Sequence, residues 1–128
     1  MRDLTKNRLE RSKNFLEASK ILLENNFFKD FINRSYYSIF TAVRALLAEN
    51  EIALKKHSDV ISFFRQHYIK TRIFDVKFSD YIGKAFIMRN DCDYGDFIFV
   101  SREETETQYN QAVEFYEAVK NFLEGGDL

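Results

Sequence analysis

The sequence predicts an all-α fold, an antiparallel up-and-down bundle of about five helices, and three observations carry that prediction. Proline is absent from all 128 residues, which removes the commonest interruption of a long helix. Apolar residues recur at three- and four-residue spacing along most of the chain, the period of one helix face. Asparagines, a serine and glycines punctuate that pattern and leave short connections, which bring successive helices together as antiparallel neighbours. The content of 45% apolar and 16% aromatic residues is ample for a packed core at this length. No low-complexity block or Gly/Ser linker interrupts it, so residues 1–128 read as a single domain.

The first helix runs from about Asp3 to Glu24, with Leu9, Phe15, Leu16, Leu22 and Leu23 toward the core and Arg8, Arg11, Lys13, Glu17 and Lys20 largely in solvent. Asn25 and Asn26 close it. The second, about Phe27 to Asn50, is apolar over most of its circumference and belongs at the centre of the bundle. Its remaining narrow face carries Arg34, Ser38, Thr41 and Ala45, while Asn33, Tyr37 and Arg44 form a polar stripe that either lines a cleft or bonds between helices. Lys55, Lys56 and His57 lead into a third helix, about Ser58 to Tyr68, with Ser58 as its N-cap and Val60, Ile61, Phe63 and Phe64 as its apolar side. The fourth runs from about Lys77 to Asp93, and Gly95 is placed to end it in a left-handed cap. The fifth begins at Ser101, where Ser101 and Glu104 have capping-box spacing, and runs to Glu124 before Gly125 and Gly126 stop it. Its stripe is Tyr109, Ala112, Val113, Tyr116, Val119 and Leu123.

The net charge of −1 argues against a general nucleic-acid binder, but its distribution is uneven. Lys55, Lys56, Arg65, Lys70 and Arg72 make residues 55–72 basic, and acids dominate from Asp91 onward. A local basic surface remains available to RNA or an acidic partner. The lone Cys92 forms no internal disulfide, and neither a signal-like start nor a membrane-length apolar span is present, so a cytoplasmic location without membrane contact is expected.

One residue breaks the apolar pattern. At 100° per residue Phe78, Tyr81, Ile82, Ala85, Met88 and Cys92 share a side of the fourth helix, and Arg89 projects from its centre. Burying an unpaired guanidinium is too costly to be incidental. Either Arg89 is neutralised inside the bundle, by Asp93 one turn later or by a hydrogen bond to Asn33 or Tyr37, or its face opens into a cleft that receives an anion such as phosphate. Asp91 and Asp93, two residues apart on a helix, point different ways, so neither a metal nor another cofactor is expected. His57 follows two lysines at a helix start, where an anion can settle on free backbone N–H groups; its alternative role is to fix the loop. His67 has no assigned role. Phe97, Ile98 and Phe99 make the last connection unusually apolar, as if to pack on a partner or a second copy.

The run Asn33-Arg34-Ser35-Tyr36-Tyr37-Ser38-Ile39-Phe40-Thr41-Ala42-Val43-Arg44-Ala45-Leu46-Leu47, followed by Lys56-His57-Ser58-Asp59-Val60-Ile61 and by Arg89-Asn90-Asp91-Cys92-Asp93-Tyr94-Gly95, resembles the small stand-alone branch of the HEPN domain family. The resemblance implies a helical bundle that dimerises with the fourth-helix Arg near a shared cleft. It also implies kinship with metal-independent ribonucleases and toxins, often encoded beside a minimal nucleotidyltransferase. Catalytic relatives carry Arg, four to six residues, then His: the Arg stabilises charge on the scissile phosphate, and the His moves protons as the 2′-hydroxyl attacks. Here those positions hold Tyr94, Gly95 and Asp96, and tyrosine is a poor base at neutral pH. In some relatives a nearby tyrosine is adenylylated by the partner, which gives Tyr94 a second candidate role beside that of a helix-end tyrosine packed on the bundle.

The expected function is therefore that of a homodimeric nucleotide- or RNA-binding partner of a minimal nucleotidyltransferase, in a toxin–antitoxin or defence-type module. Asn33, Arg34, Tyr37, Arg44, Lys56, Arg89 and Asp93 form the candidate binding set, and any catalysis falls to Arg89, Tyr94 and His57. The alternatives are a metal-independent endoribonuclease with a non-standard base and a purely structural helical adaptor.

Overall fold

The computed structural model describes residues 1–96 and 98–125 and consists of α1 (Asp3–Glu24), α2 (Phe28–Glu49), α3 (His57–Phe64), a π-helical turn (Arg65–Ile69), α4 (Lys77–Tyr94) and α5 (Arg102–Leu123). The all-α bundle read from the sequence is the observed architecture. Phe97 and Gly126 lie outside the described residues.

α1 and α2 form an antiparallel hairpin, turned by Asn26 in the left-handed region at φ 65°. Cross-links run in opposite order along the two helices: the Thr5 hydroxyl donates to Glu49, Arg8 to the Arg44 carbonyl, and Ser12 and Ser38 each to the other's carbonyl, at 2.7 and 2.9 Å. The narrow face of α2 lies in this seam, where Ser38, Thr41 and Ala45 are buried, as are Ser12 and Ser19 on α1. Small hydroxyl side chains let the backbones approach closely, and Ser12, Ser19 and Ser38 each bond a carbonyl locally or across the seam. Arg8 is likewise half-buried rather than solvated, its stem lying along the seam to reach Arg44.

α2 touches every other helix, as its apolar circumference requires. The main core contains Tyr36, Ile39, Val43, Leu46 and Leu47 of α2, met by Phe64, Phe78, Ile82 and Phe115. Phe115 is fully buried although it lay outside the stripe predicted for α5. A smaller cluster, Leu23, Phe31, Ile32 and Val100, closes the end of the bundle where α1 turns into α2. Ile98 packs against it, so part of the apolar last connection is used internally, whereas Phe99 is 84% exposed.

Three local expectations change. Lys56, not Ser58, is the N-cap of α3, and no side chain caps it. His57 joins the helix one residue early because its ring is anchored on α2, as described below. The third helix is α-helical only to Phe64; the wider π turn that follows carries Tyr68 into the core, where its hydroxyl accepts a hydrogen bond from Asn50. Gly95 is extended (φ −93°, ψ 136°), not left-handed. Glycine is required there for space: a Cβ would collide with Ile98 and the Asp91 carbonyl, to which the Gly95 N–H donates. The Ser101–Glu104 capping box at α5 is present in full. No helix among the described residues is long and apolar enough to cross a membrane.

Candidate phosphate-binding groove

Consecutive tyrosines on α2 project about 100° apart, which sends Tyr36 wholly into the core and leaves Tyr37 half-buried at its edge. One turn on, Phe40 joins them. His57, at the start of α3, lies against all three: it stacks on Phe40 with centroids 4.1 Å apart and rings inclined by 17°, meets Tyr37 edge-on at 5.9 Å, and has Nδ1 2.7 Å from the Tyr36 hydroxyl. From the facing α4, the Arg89 guanidinium sits 5.6 Å from the Tyr36 ring centre and 5.5 Å from that of Tyr37, and donates to the Tyr37 hydroxyl at 3.3 Å. The aromatic faces supply part of the charge compensation that burial denies to water.

The remainder comes from Asp93. Its Oδ2 is 2.9 Å from Arg89 Nε, an ionic contact whose alignment does not make a hydrogen bond, so Nε is a buried donor without one. The Arg89 side chain is 19% exposed and that of Asp93 32%. Of the two sequence readings, internal pairing therefore holds through Asp93 and Tyr37, and not through Asn33, which bonds to Arg34. Pairing with a half-exposed acid leaves Arg89 a fixed positive charge behind Tyr37 rather than a sealed strut.

In front of Tyr37 is an open groove of ≈ 350 Å³ between α1, α2 and the α2–α3 connection. Arg11, Arg34, Arg44, Lys55, His57, Tyr37 and Thr41 supply its polar groups, and among the described residues no carboxylate lines it. Desolvation, then the charges of Arg89 and Arg44, hold the His57 pKa below its usual value, so the imidazole is neutral at neutral pH. Burial pushes Tyr36 well above the ordinary tyrosine range, and its hydroxyl stays protonated. An array of fixed cations with a neutral donor and aromatic walls is suited to a phosphate bearing a base.

A second groove, ≈ 800 Å³, shares Arg34 and holds Asn33 and Asp93 with Lys29, Asp30 and Cys92. Its charges are mixed, and burial raises the Cys92 pKa, which disfavours the thiolate. A larger concavity, ≈ 1000 Å³ between residues 69–78 and α5, contains none of the candidate residues and carries both signs of charge. Cation density, not volume, singles out the first.

The candidate residues thus separate. Arg34, Tyr37, Arg44 and His57 line the basic groove; Arg89 lies behind it; Asn33 and Asp93 face the neighbouring groove. Lys56 is exposed and lines neither, and Lys55 is the lysine that the groove uses. Tyr94 is 80% exposed at the end of α4, without a hydrogen bond or ring contact among the described residues, so it is not packed on the bundle. Sequence reasoning missed Arg11 and Tyr36. The spacing of Arg11 from Phe15, over whose ring it lies at 5.9 Å, signals that Arg11 is held in place. Nothing local signals that the Tyr36 hydroxyl meets an imidazole 21 residues away. Among the described residues, no three His, Cys, Asp or Glu side chains converge as metal ligands would.

Comparison with known proteins agrees with this architecture. The HEPN domain model matches residues 5–122. A Methanocaldococcus jannaschii protein named "Putative toxin" is 37% identical over 90% of this chain and 78% of its own length. A second protein of that organism with the same name is 32% identical over 84% and 80%. A Thermotoga maritima protein named "UPF0332 protein" is 28% identical over 89% and 86%. With the helical bundle, the fourth-helix arginine and a family match spanning nearly all of its length, the chain belongs to the HEPN domain family.

Proposed function

We propose that this protein binds RNA or nucleotide phosphates in the Arg11–Arg34–Arg44–Lys55–His57 groove, as the toxin-type component of a two-protein module whose other member is a minimal nucleotidyltransferase. The concentration of cations in one groove, with no acid lining it among the described residues, carries the reading. The toxin names of two relatives support the module type. In this proposal the protein is a cytoplasmic homodimer, and the exposed Tyr94, on the helix that carries Arg89, is the site the partner modifies. Binding is tested by fluorescence anisotropy with a short single-stranded RNA and with ATP at low salt. Wild-type protein binds, and the charge-reversed R34E/R44E variant does not; failure of the wild type to bind either ligand overturns the reading. Affinity purification from the native host tests the partner, with a nucleotidyltransferase expected in the eluate and its absence counting against the module.

A metal-independent endoribonuclease is the second reading. Arg89 and a neutral His57 lie against the same two tyrosines, a cation and a proton acceptor in one neighbourhood, although the family's usual histidine is replaced. It predicts 2′,3′-cyclic phosphate ends formed in EDTA and lost with R89A. Intact RNA under those conditions refutes it.

A further inference from the structure

The pairing of Tyr36 with His57 has a definite direction. Tyr36 is completely buried, and among the described residues its hydroxyl has one hydrogen-bond partner, His57 Nδ1. A buried O–H that donates to nothing is unfavourable. If Nδ1 carried the proton and donated to the phenol, the hydroxyl hydrogen would have no acceptor. The hydroxyl must therefore donate, Nδ1 must accept, and the imidazole proton resides on Nε2. Stacking on Phe40 and the edge of Tyr37 hold the ring plane. Nε2 makes no hydrogen bond among the described residues and is not a buried orphan, so it remains open at the groove that His57 lines.

We infer that Tyr36 is a positioning residue that fixes His57 in the Nε2–H tautomer, so that the groove offers an RNA phosphodiester a neutral, pre-oriented N–H donor among its fixed cations. This rests on the proposed phosphate-binding role of the groove. Arg11 from α1, Arg34, Arg44 and Tyr37 from α2, Lys55 from the connection and Arg89 from α4 surround the imidazole, while Asp59 of its own helix lies outside the groove lining. In the free protein desolvation, then the charges of Arg89 and Arg44, disfavour a second proton on His57. That proton would have to go to Nδ1, where it would leave the buried Tyr36 hydroxyl without an acceptor. The ring therefore stays neutral with RNA bound, and affinity gains nothing from His57 as pH falls below neutrality, a range in which the phosphodiester itself does not titrate.

Two measurements on the full chain test this. Long-range proton–nitrogen NMR of the free protein, with His57 told apart from His67 by a His57→Gln variant, is expected to show Nε2 protonated and Nδ1 accepting. A proton on Nδ1 overturns the inference whatever RNA does. Titration of a short single-stranded RNA between pH 8 and 5.5 is expected to give the same flat profile in the wild type and in H57Q. In Tyr36→Phe, whose ring still fills the core, the tautomers mix and affinity at pH 8 falls about fivefold, the scale of one charge-assisted hydrogen bond partly lost, and it recovers as pH falls because Nδ1 is free to take a proton. Affinity within twofold of wild type and an unaltered pH slope in that variant overturn the positioning role. An intact Nε2–H tautomer without any RNA binding overturns the groove's proposed function and, with it, the phosphate half of the inference.

Discussion

Replacing Arg89 by alanine separates its two possible roles when it is set beside Asp93→Ala. The stability cost follows from the contacts. The Arg89–Asp93 pair is partly exposed and contributes about 0.5 kcal/mol after solvent screening. The two tyrosine rings add about 0.5 kcal/mol each at this degree of exposure, and the long bond to Tyr37 a similar amount. R89A thus loses about 2 kcal/mol, a drop in Tm of about 6–10 °C for a domain of this size, well within a typical stability of about 5–15 kcal/mol. D93A loses only the ion pair, a drop of about 2 °C. The effect on binding runs oppositely. Arg89 and His57 each lie within 6 Å of the Tyr37 ring centre, so the guanidinium is no more than about 12 Å from the groove's imidazole. At that range one charge contributes about 0.3–1.4 kcal/mol between dielectric constants of 80 and 20. R89A should therefore weaken RNA binding about 2- to 10-fold at low salt, and D93A, which removes a negative charge, should strengthen it. Anisotropy titrations beside thermal melts distinguish the cases. Unchanged RNA affinity in folded R89A, or equal weakening in both variants, refutes the claim that Arg89 acts on the groove by charge.

The four permanent cations of the groove, Arg11, Arg34, Arg44 and Lys55, should give log affinity a slope of about −3 against log salt with single-stranded RNA, and R44A should make it shallower by about 0.7, as read from titrations at several salt concentrations. The α1–α2 seam should tolerate Ser38→Ala at about 1 kcal/mol but not Ser38→Leu, which must push two backbones apart and should lower stability in urea by more than about 2 kcal/mol. Glu49, held below the ordinary carboxylate range first by the Arg2 N–H and then by the Thr5 hydroxyl, has a depressed pKa in the folded state. Its stabilisation is present above the unfolded pKa near ~4.5 and lost as pH falls through the folded value. Melting temperatures from pH 7 to 3 should therefore decline less steeply in E49Q than in the wild type.

Much of the fold is legible because helix boundaries are local events. Asn25 and Asn26 end α1, Ser101 and Glu104 start α5 by reciprocal bonds three residues apart, and the period of α2 places it centrally. The misreadings at Ser58, Tyr68 and Gly95 share a cause, since each boundary is tied to a tertiary contact: His57 on Tyr36, Tyr68 among Phe64, Phe74 and Phe122, and Gly95 against an Ile98 that packs on the Leu23, Phe31, Ile32 and Val100 cluster. For the site, Arg89 was conspicuous because a charge interrupts an apolar stripe within one helix. Lys55 and Lys56 were indistinguishable because an irregular connection has no period from which to read direction. Arg11 looked like any solvated arginine, since only the packing of α1 on α2 brings it beside Arg44.

By itself the sequence determined the helices, their order, the central position of α2 and the anomaly at Arg89, because these follow from residue type and spacing along one segment. Only the tertiary structure decided that Arg89 stands behind the groove rather than in it, that Asp93 and Tyr37 hold it, and that His57 is tied to Tyr36. Those facts depend on the relative placement of α1, α2, α3 and α4. That placement is set by close packing of a serine seam and an aromatic core, and such complementarity between distant segments leaves no periodic trace in the chain.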